Sequence, residues 1–342
     1  MIFSIRKLLK GPFRRIELEV KSRVAQILQF FFQKIIPPVY VAFDSSKSVD
    51  GTGAQLQRQA TVMAVAKYFG FTYVPTEFKQ VSVHPLDPFQ SEPEYKRFLD
   101  RLNQFLKVDS PLVVRSTTPE VKMNSLTFSA LIRECLIQSI SPRERNFLIY
   151  EPYPVSEFCP GIMDNLQLQS NERLVSSKAK DVFEIVIHYR QGVGGFAHYP
   201  GQNVPREIPL ELFAQRVEEI VLGLPDSLDT QIVVVTDAPE VETVFAPPAN
   251  QVALWEGTPG FLNGVMTIKP TKFDQLERLS NIPLKVLRGG NPLDTILLMA
   301  SANVLLTGKS SLSYMGGLLN RKGEVFYPTD FWHRPLKTWQ KL

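Results

Sequence analysis

The sequence predicts an α/β protein of two domains, each a parallel sheet whose strands alternate with helices. Three observations carry that expectation. The chain has 342 residues, enough for two domains of ordinary size with a core apiece. Short apolar runs such as Val39–Phe43, Val182–Ile187 and Ile232–Thr236 read as strands buried on both faces. Between them lie longer segments whose apolar residues recur at helical spacing.

Composition narrows the class. A hydrophobic fraction of 44% and a charged fraction of 21% suit a soluble globular chain and not a disordered one. Thirty-eight Lys and Arg against 34 Asp and Glu leave a net charge of +4. That excess is small and scattered and no nucleic-acid-reading motif accompanies it, so no nucleic acid partner is expected. Cys135 and Cys159 are too few for a disulfide framework or a zinc site and fit a reducing compartment. No signal-peptide core with a cleavage site is present, which makes the cytoplasm the expected location. Residues 1–36 carry Arg6, Lys7, Lys10, Arg14 and Arg15, then Val20, Val24, Ile27, Leu28, Phe31 and Phe32 at helical spacing. No apolar run there approaches the ~20 residues of a membrane span. The segment is either a basic amphipathic helix lying peripherally at a membrane surface or a helix packed on the domain that follows.

The first domain is expected over 37–178. Pro37 and Pro38 close the N-terminal helix, and Val39–Phe43 is the first strand. Gly51 and Gly53 then precede a helix marked by Leu56, Ala60, Met63, Ala64 and Tyr68, so two flexible residues lie at a helix N-terminus, where anions are favoured. A tight strand-to-helix turn explains them equally. Gly70 stops this helix before a strand at Phe71–Val74. A helix over Glu94–Leu106, a strand at Pro111–Val114, a helix over Leu126–Ile137 and a strand at Asn146–Tyr150 complete a Rossmann-like pattern. The polar stretch Gln167–Lys180 is the boundary.

The second domain, 179–342, repeats the alternation. A strand at Glu184–Ile187 runs into His188, Tyr189 and Arg190 and then Gly192, Gly194 and Gly195. A helix at Leu210–Leu222, a strand at Ile232–Thr236, a helix starting near Pro239 and a strand at Pro283–Leu287 follow. Asp294 heads a helix containing Ile296, Leu297, Met299 and Ala300. After it come the strand Val304–Leu306, the loop Thr307–Ser313 and a helix over Leu312–Leu319. In open α/β sheets ligands sit at the carboxyl ends of strands, where glycines let backbone N–H groups approach an anion and arginine supplies a forked cation. The loop after Glu184–Ile187 and the hydroxyl-rich loop with Thr307, Lys309, Ser310 and Ser311 are both of that kind.

Taken together, these residues resemble the fucosyltransferase superfamily of α-1,2-, α-1,6- and protein O-fucosyltransferases. The motif H-x-R-x-G-D is matched by His188-Tyr189-Arg190-Gln191-Gly192-Val193. The Asp-headed helix, strand and Ser-rich loop are matched by Asp294–Ser313, the strand ending in Thr-Asp by Val233–Glu242, and the Gly-rich N-terminal loop by Asp50–Gln59. The resemblance implies a GT-B-like architecture, two Rossmann-like domains facing a cleft, with the nucleotide sugar held mainly by the second. It implies Arg190 on the β-phosphate, His188 and Asp294 towards guanine, and Thr307, Ser310 and Ser311 on the diphosphate, with Gly51, Gly53, Gly192 and Lys309 completing the donor set. The expected reaction is inverting transfer of fucose from GDP-fucose to a glycan of a surface polysaccharide or related acceptor. No D-x-D triplet occurs, so neither a metal nor a further cofactor is expected.

In the α-1,6 branch a carboxylate lies eight residues after the motif arginine, and His198 holds that place here. A histidine can accept a proton near neutral pH, with Glu207 and Asp237 as rivals for the base. Where the motif ends in Asp this chain has Val193, so that polar contact is supplied elsewhere or the donor differs. A glycosyltransferase using another nucleotide sugar and a non-catalytic nucleotide- or sugar-binding relative are the alternatives.

Overall fold

A computed structural model of the chain describes residues 27, 30, 39–45, 50–82, 91–107, 120–123, 145–149, 162–172, 182–190, 208–246, 261–268, 270–278, 282–328 and 333–342. The strand expected at 111–114, the helix expected at 126–137 and all but two residues of the N-terminal helix lie outside this set. Contacts divide the chain into two compact units, one of residues 1–49, 55–80 and 106–168, the other of residues 50–54, 81–105 and 169–342.

The first unit holds a parallel sheet of β1 (Val39–Phe43), β2 (Thr72–Val74), β3 (Glu120–Met123) and β4 (Arg145–Ile149), in the order β2-β1-β4-β3. Helix α1 (Thr52–Phe69) connects β1 to β2. Leu56, Ala60, Val62, Val65 and Phe69 are buried along it, and so are Gln55, Gln57, Arg58 and Gln59. Buried amides need partners, and the Gln59 side chain donates to the Tyr73 hydroxyl at 3.1 Å. The helix ends as expected at Gly70, whose φ of 72° lets Phe71 N–H reach back to the Ala66 carbonyl. Strand β3 was not anticipated. It is the outermost described strand on that side of the sheet, and its Glu-Val-Lys-Met sequence lacks the continuous apolar run that marks the others.

The second unit contains α2 (Glu92–Phe105), β5 (Phe183–Tyr189), α3 (Leu210–Leu222), β6 (Thr230–Thr236), β7 (Thr243–Phe245), β8 (Phe261–Leu262) and β9 (Val265–Ile268). It continues with α4 (Asp274–Glu277), β10 (Leu284–Arg288), α5 (Pro292–Ser301), β11 (Val304–Leu306), α6 (Ser311–Leu319), β12 (Glu324–Tyr327) and β13 (Gln340–Lys341). Six strands form one parallel sheet in the order β10-β6-β5-β11-β12-β13. Counted by their appearance in the chain this is the Rossmann order 3-2-1-4-5-6, with its reversal between β5 and β11. Ile185, Ile187, Val217, Ile232, Val234 and Leu306 are fully buried at the centre, which is why the strand sequences are apolar on both faces.

Four expectations change. His188 and Tyr189 belong to β5 instead of following it, His188 pairing with Val235 and the Tyr189 ring packing edge-on against Phe213 and Phe273. The helix expected near Pro239 is absent. The β-branched Val241, Thr243 and Val244 favour extension, and the segment enters the small antiparallel sheet β7-β9-β8. Asp294 does not head α5: Asn291 caps it, its side chain accepting from Leu293 N–H at 2.9 Å with Pro292 behind it, and Asp294 lies within the first turn. Helix α6 begins at Ser311, one residue early, because Ser310 is its cap. Among the described residues no helix is long and apolar enough to cross a membrane.

Candidate functional site

The ends of two neighbouring strands of the second sheet lie side by side at its reversal point. Val304, Leu305 and Leu306 of β11 pair with Ile185, Val186 and Ile187 of β5, so the chain emerges at Arg190 from one strand and at Thr307 from its neighbour. Crevices at the carboxyl ends of strands where the order reverses are the ligand sites of such sheets.

The loop after β11 is held rigidly. Thr307 is fully buried, and its N–H and its hydroxyl both donate to the Phe326 carbonyl at 2.9 Å. Both donors are used in anchoring the loop to β12. Gly308 follows against β5. A Cβ there would lie 2.6 Å from the His188 carbonyl oxygen and 3.0 Å from His188 Nδ1, so glycine is required for the approach. Lys309 is buried at 5% exposure. Ser310 then caps α6, its Oγ accepting the Leu312 N–H at 3.2 Å, and Ser313 bonds back to the carbonyls of Gly308 and Ser310. The remaining N–H groups of the first turn of α6 carry the partial positive charge of the helix N-terminus.

Arg190 lies against that terminus. Its Nη1 donates to Ser310 Oγ at 3.1 Å, and its Nε stands 3.7 Å from Asp237 Oδ2 without making a hydrogen bond. Asp237 is placed by the turn that follows β6. There Thr236 Oγ1 accepts the Ala238 N–H, and Arg288 at the end of β10 donates to the carbonyls of Ala238 and Pro239. Arg288 also lies over the Phe273 ring at 5.5 Å. His188 is 5% exposed, and its Nδ1 is buried without a hydrogen-bond partner. Burial holds its pKa down at about 4; Asp237 works against that shift and Arg190 adds to it, so the ring is neutral at physiological pH.

Gly53 reaches the same helix end. A Cβ at Gly53, which belongs to the second unit, would meet Leu312 N at 2.5 Å and the Ser311 carbonyl carbon at 2.9 Å, so Gly53 is packed directly on the first turn of α6. Gly51 bridges to Ser82 beside it. Asp294 is paired with another side chain: its Oδ1 lies 2.5 Å from Arg101 Nη2, and Arg101 is bound in a fork by Glu172 at 2.8 and 2.6 Å. Gly192, His198 and the rival base Glu207 lie outside the described residues.

The structure thus gathers Arg190, His188, Gly308, Ser310, Ser311, Gly53 and Asp237 at one end of the sheet. Arg101, Arg288 and His333 were not singled out in the sequence. The signal for Arg288 was present, since Arg-Gly-Gly-Asn-Pro marks the end of a strand, a turn and a helix cap; the other two are joined to the site only by long-range contacts. Among the described residues no group of three or more His, Cys, Asp or Glu is placed to hold a metal. Functionally, the arrangement is a fixed cation joined to a helix N-terminus, with a neutral imidazole beside them. It can hold a multiply charged oxyanion and stabilise added negative charge on it.

No family model matches the chain, and no curated protein sequence matches it. Solved structures do. The chain is similar to the α-1,6-fucosyltransferase NodZ soaked with GDP-fucose, at 11% identity over 82% of this chain and 92% of that one, with a TM-score of 0.32. NodZ is also solved from Bradyrhizobium. It is similar to the E. coli ADP-heptose LPS heptosyltransferase II, at 13% identity over 86% of this chain and 87% of that one, TM-score 0.34. It is similar as well to POFUT1 in complex with GDP, at 13% identity over 84% of this chain and 96% of that one, TM-score 0.40.

Proposed function

We propose that the chain is a glycosyltransferase that holds the diphosphate of a nucleotide sugar at the reversal point of its second sheet. The donor is GDP-fucose, and the sugar passes with inversion to a glycan acceptor without help from a metal. The observation that carries this reading is the Arg190 guanidinium bonded to Ser310, the cap of α6. When a glycosyl phosphate bond breaks, negative charge grows on the departing diphosphate. Interactions fixed in place before that moment lower the barrier, because they strengthen as the charge develops. The motif His188-Tyr189-Arg190 supports fucose through its resemblance to the fucosyltransferases, and His198 is the proposed base. The protein works in the cytoplasm, at a membrane surface if its basic N-terminal segment binds there.

A second reading, the same chemistry with another nucleotide sugar, is favoured by one observation. Asp294, expected beside guanine, is held by Arg101. Calorimetry with GDP, UDP, CDP and ADP, each with and without EDTA, decides between them. Selective binding of GDP that EDTA leaves unchanged supports the first reading, and selective binding of another nucleotide supports the second. Binding of none would sink both.

A further inference from the structure

The C-terminal segment brings a histidine to the same helix end. The Tyr327 hydroxyl donates to the His333 carbonyl at 2.7 Å, and the Tyr314 hydroxyl donates to the Arg334 carbonyl at 3.0 Å. The Trp339 ring packs against Tyr314 and Tyr327 with centroids 5.2 and 5.3 Å apart. Strand β13 then pairs with β12, closing the segment over α6 and β12. Held in this way, the His333 ring lies 4.9 Å from the Tyr314 ring at 4% exposure, and its Nε2 stands 2.9 Å from Ser311 Oγ. Ser311 opens α6, next to the Ser310 that Arg190 touches.

The buried ring presents its Nε2 to Ser311. It can govern the serine it touches. A hydroxyl has one proton to give and two lone pairs. When Nε2–H donates to Oγ, the Ser311 proton is left for another acceptor; when the ring accepts instead, Ser311 can offer only a lone pair, which an anion repels. Two residues before the cap of α6, Gly308 lies against His188, whose buried Nδ1 lacks a hydrogen-bond partner.

We infer that His333 is a positioning residue of the anion site, orienting the Ser311 hydroxyl so that it donates to a phosphate oxygen of the nucleoside diphosphate. The inference rests on the diphosphate reading above. It predicts that Ser311 and His333 act as one unit, so that losing either has the effect of losing both.

The test is calorimetric titration of GDP and of inorganic pyrophosphate into the full chain and into Arg190→Ala, Ser311→Ala, His333→Phe, His333→Gln and the double variant Ser311→Ala with His333→Phe. Thermal unfolding confirms that each is folded. Expected is about tenfold weaker binding of both ligands in Ser311→Ala and His333→Phe, as loss of one hydrogen bond to a charged group gives. The double variant should be no weaker than either single one. Gln, whose side-chain amide can donate in place of Nε2, should restore binding to near the wild-type value. Should His333→Phe fail to fold, the half-buried Ser311→Ala still decides: unchanged binding there overturns the inference. Unchanged binding in His333→Phe, additive losses in the double variant, or failure of Gln to rescue also overturns it, while the diphosphate reading stands so long as Arg190→Ala binds poorly. Wild type that binds neither ligand overturns the diphosphate reading, and the inference with it.

Discussion

Arg190 meets Ser310 on one side and Asp237 on the other, and the two neighbours pull its charge in different directions. Asp237 keeps the guanidinium in place at 3.7 Å, yet Nε makes no hydrogen bond to it. A bound oxyanion would take that free donor. Arg190→Ala should therefore weaken GDP or pyrophosphate binding by roughly 10- to 100-fold, the loss of a charge-assisted hydrogen bond, while thermal unfolding stays close to wild type. Lysine should not rescue it, because a point charge cannot span Ser310 and a phosphate with a planar fork. His188 gives a second prediction through its depressed pKa of about 4. Above its unfolded pKa of 6.5 it adds nothing to the pH dependence. Between 6.5 and 4 the unfolded chain takes up a proton that the folded chain refuses, so stability falls on acidification, by at most about 3 kcal/mol. Denaturant unfolding from pH 7 to pH 4 should show that loss, and His188→Gln should flatten it.

At the scale of elements, the site depends on a loop and a cap. Ser310→Ala removes the N-cap of α6 and should cost about 1 kcal/mol of stability, along with the contact that holds Arg190. Gly308→Ala places a methyl group against the His188 carbonyl, which is backbone and cannot turn aside. A cost of about 1–3 kcal/mol is expected, with loss of nucleotide binding, read by chemical unfolding and calorimetry on the same preparation. The sequence made β5, β6 and β11 legible because their central residues Ile185–Ile187, Ile232–Val235 and Val304–Leu306 are buried on both faces and form unbroken apolar runs. It misplaced the segment after Pro239, where a proline and an acidic residue look like a helix start but the β-branched Val241, Thr243 and Val244 decide the outcome. Arg190 and the Ser310–Ser311 pair could be read as candidates, because they lie in the chain beside their strand and helix. The roles of Arg101 and His333 could not be read, since Arg101 finds Asp294 across 193 residues and His333 finds Ser311 across 22.

For the whole molecule, the alternation of strands and helices foretold two parallel sheets, and both are present. The reversal of order between β5 and β11, which brings Arg190 beside Ser310, comes from long-range pairing that no local pattern encodes. Since β5 and β6 lie at the centre of the second sheet and β13 at its edge, hydrogen exchange measured by NMR should be slowest at Ile185–Ile187 and Val233–Val234 and fastest at Gln340–Lys341. Uniform exchange across the sheet would contradict that gradient and show that the sheet opens only as a whole.

The second unit is drawn from three separate stretches of chain, 50–54, 81–105 and 169–342. Gly53 packs on the start of α6, and Arg101 holds Asp294, so both small stretches contribute to what surrounds the site. A gene fragment starting at residue 179 would leave them behind. Such a fragment lacks the glycine that packs on the start of α6 and the arginine that pairs with Asp294, so the unit is one in space and three in the chain.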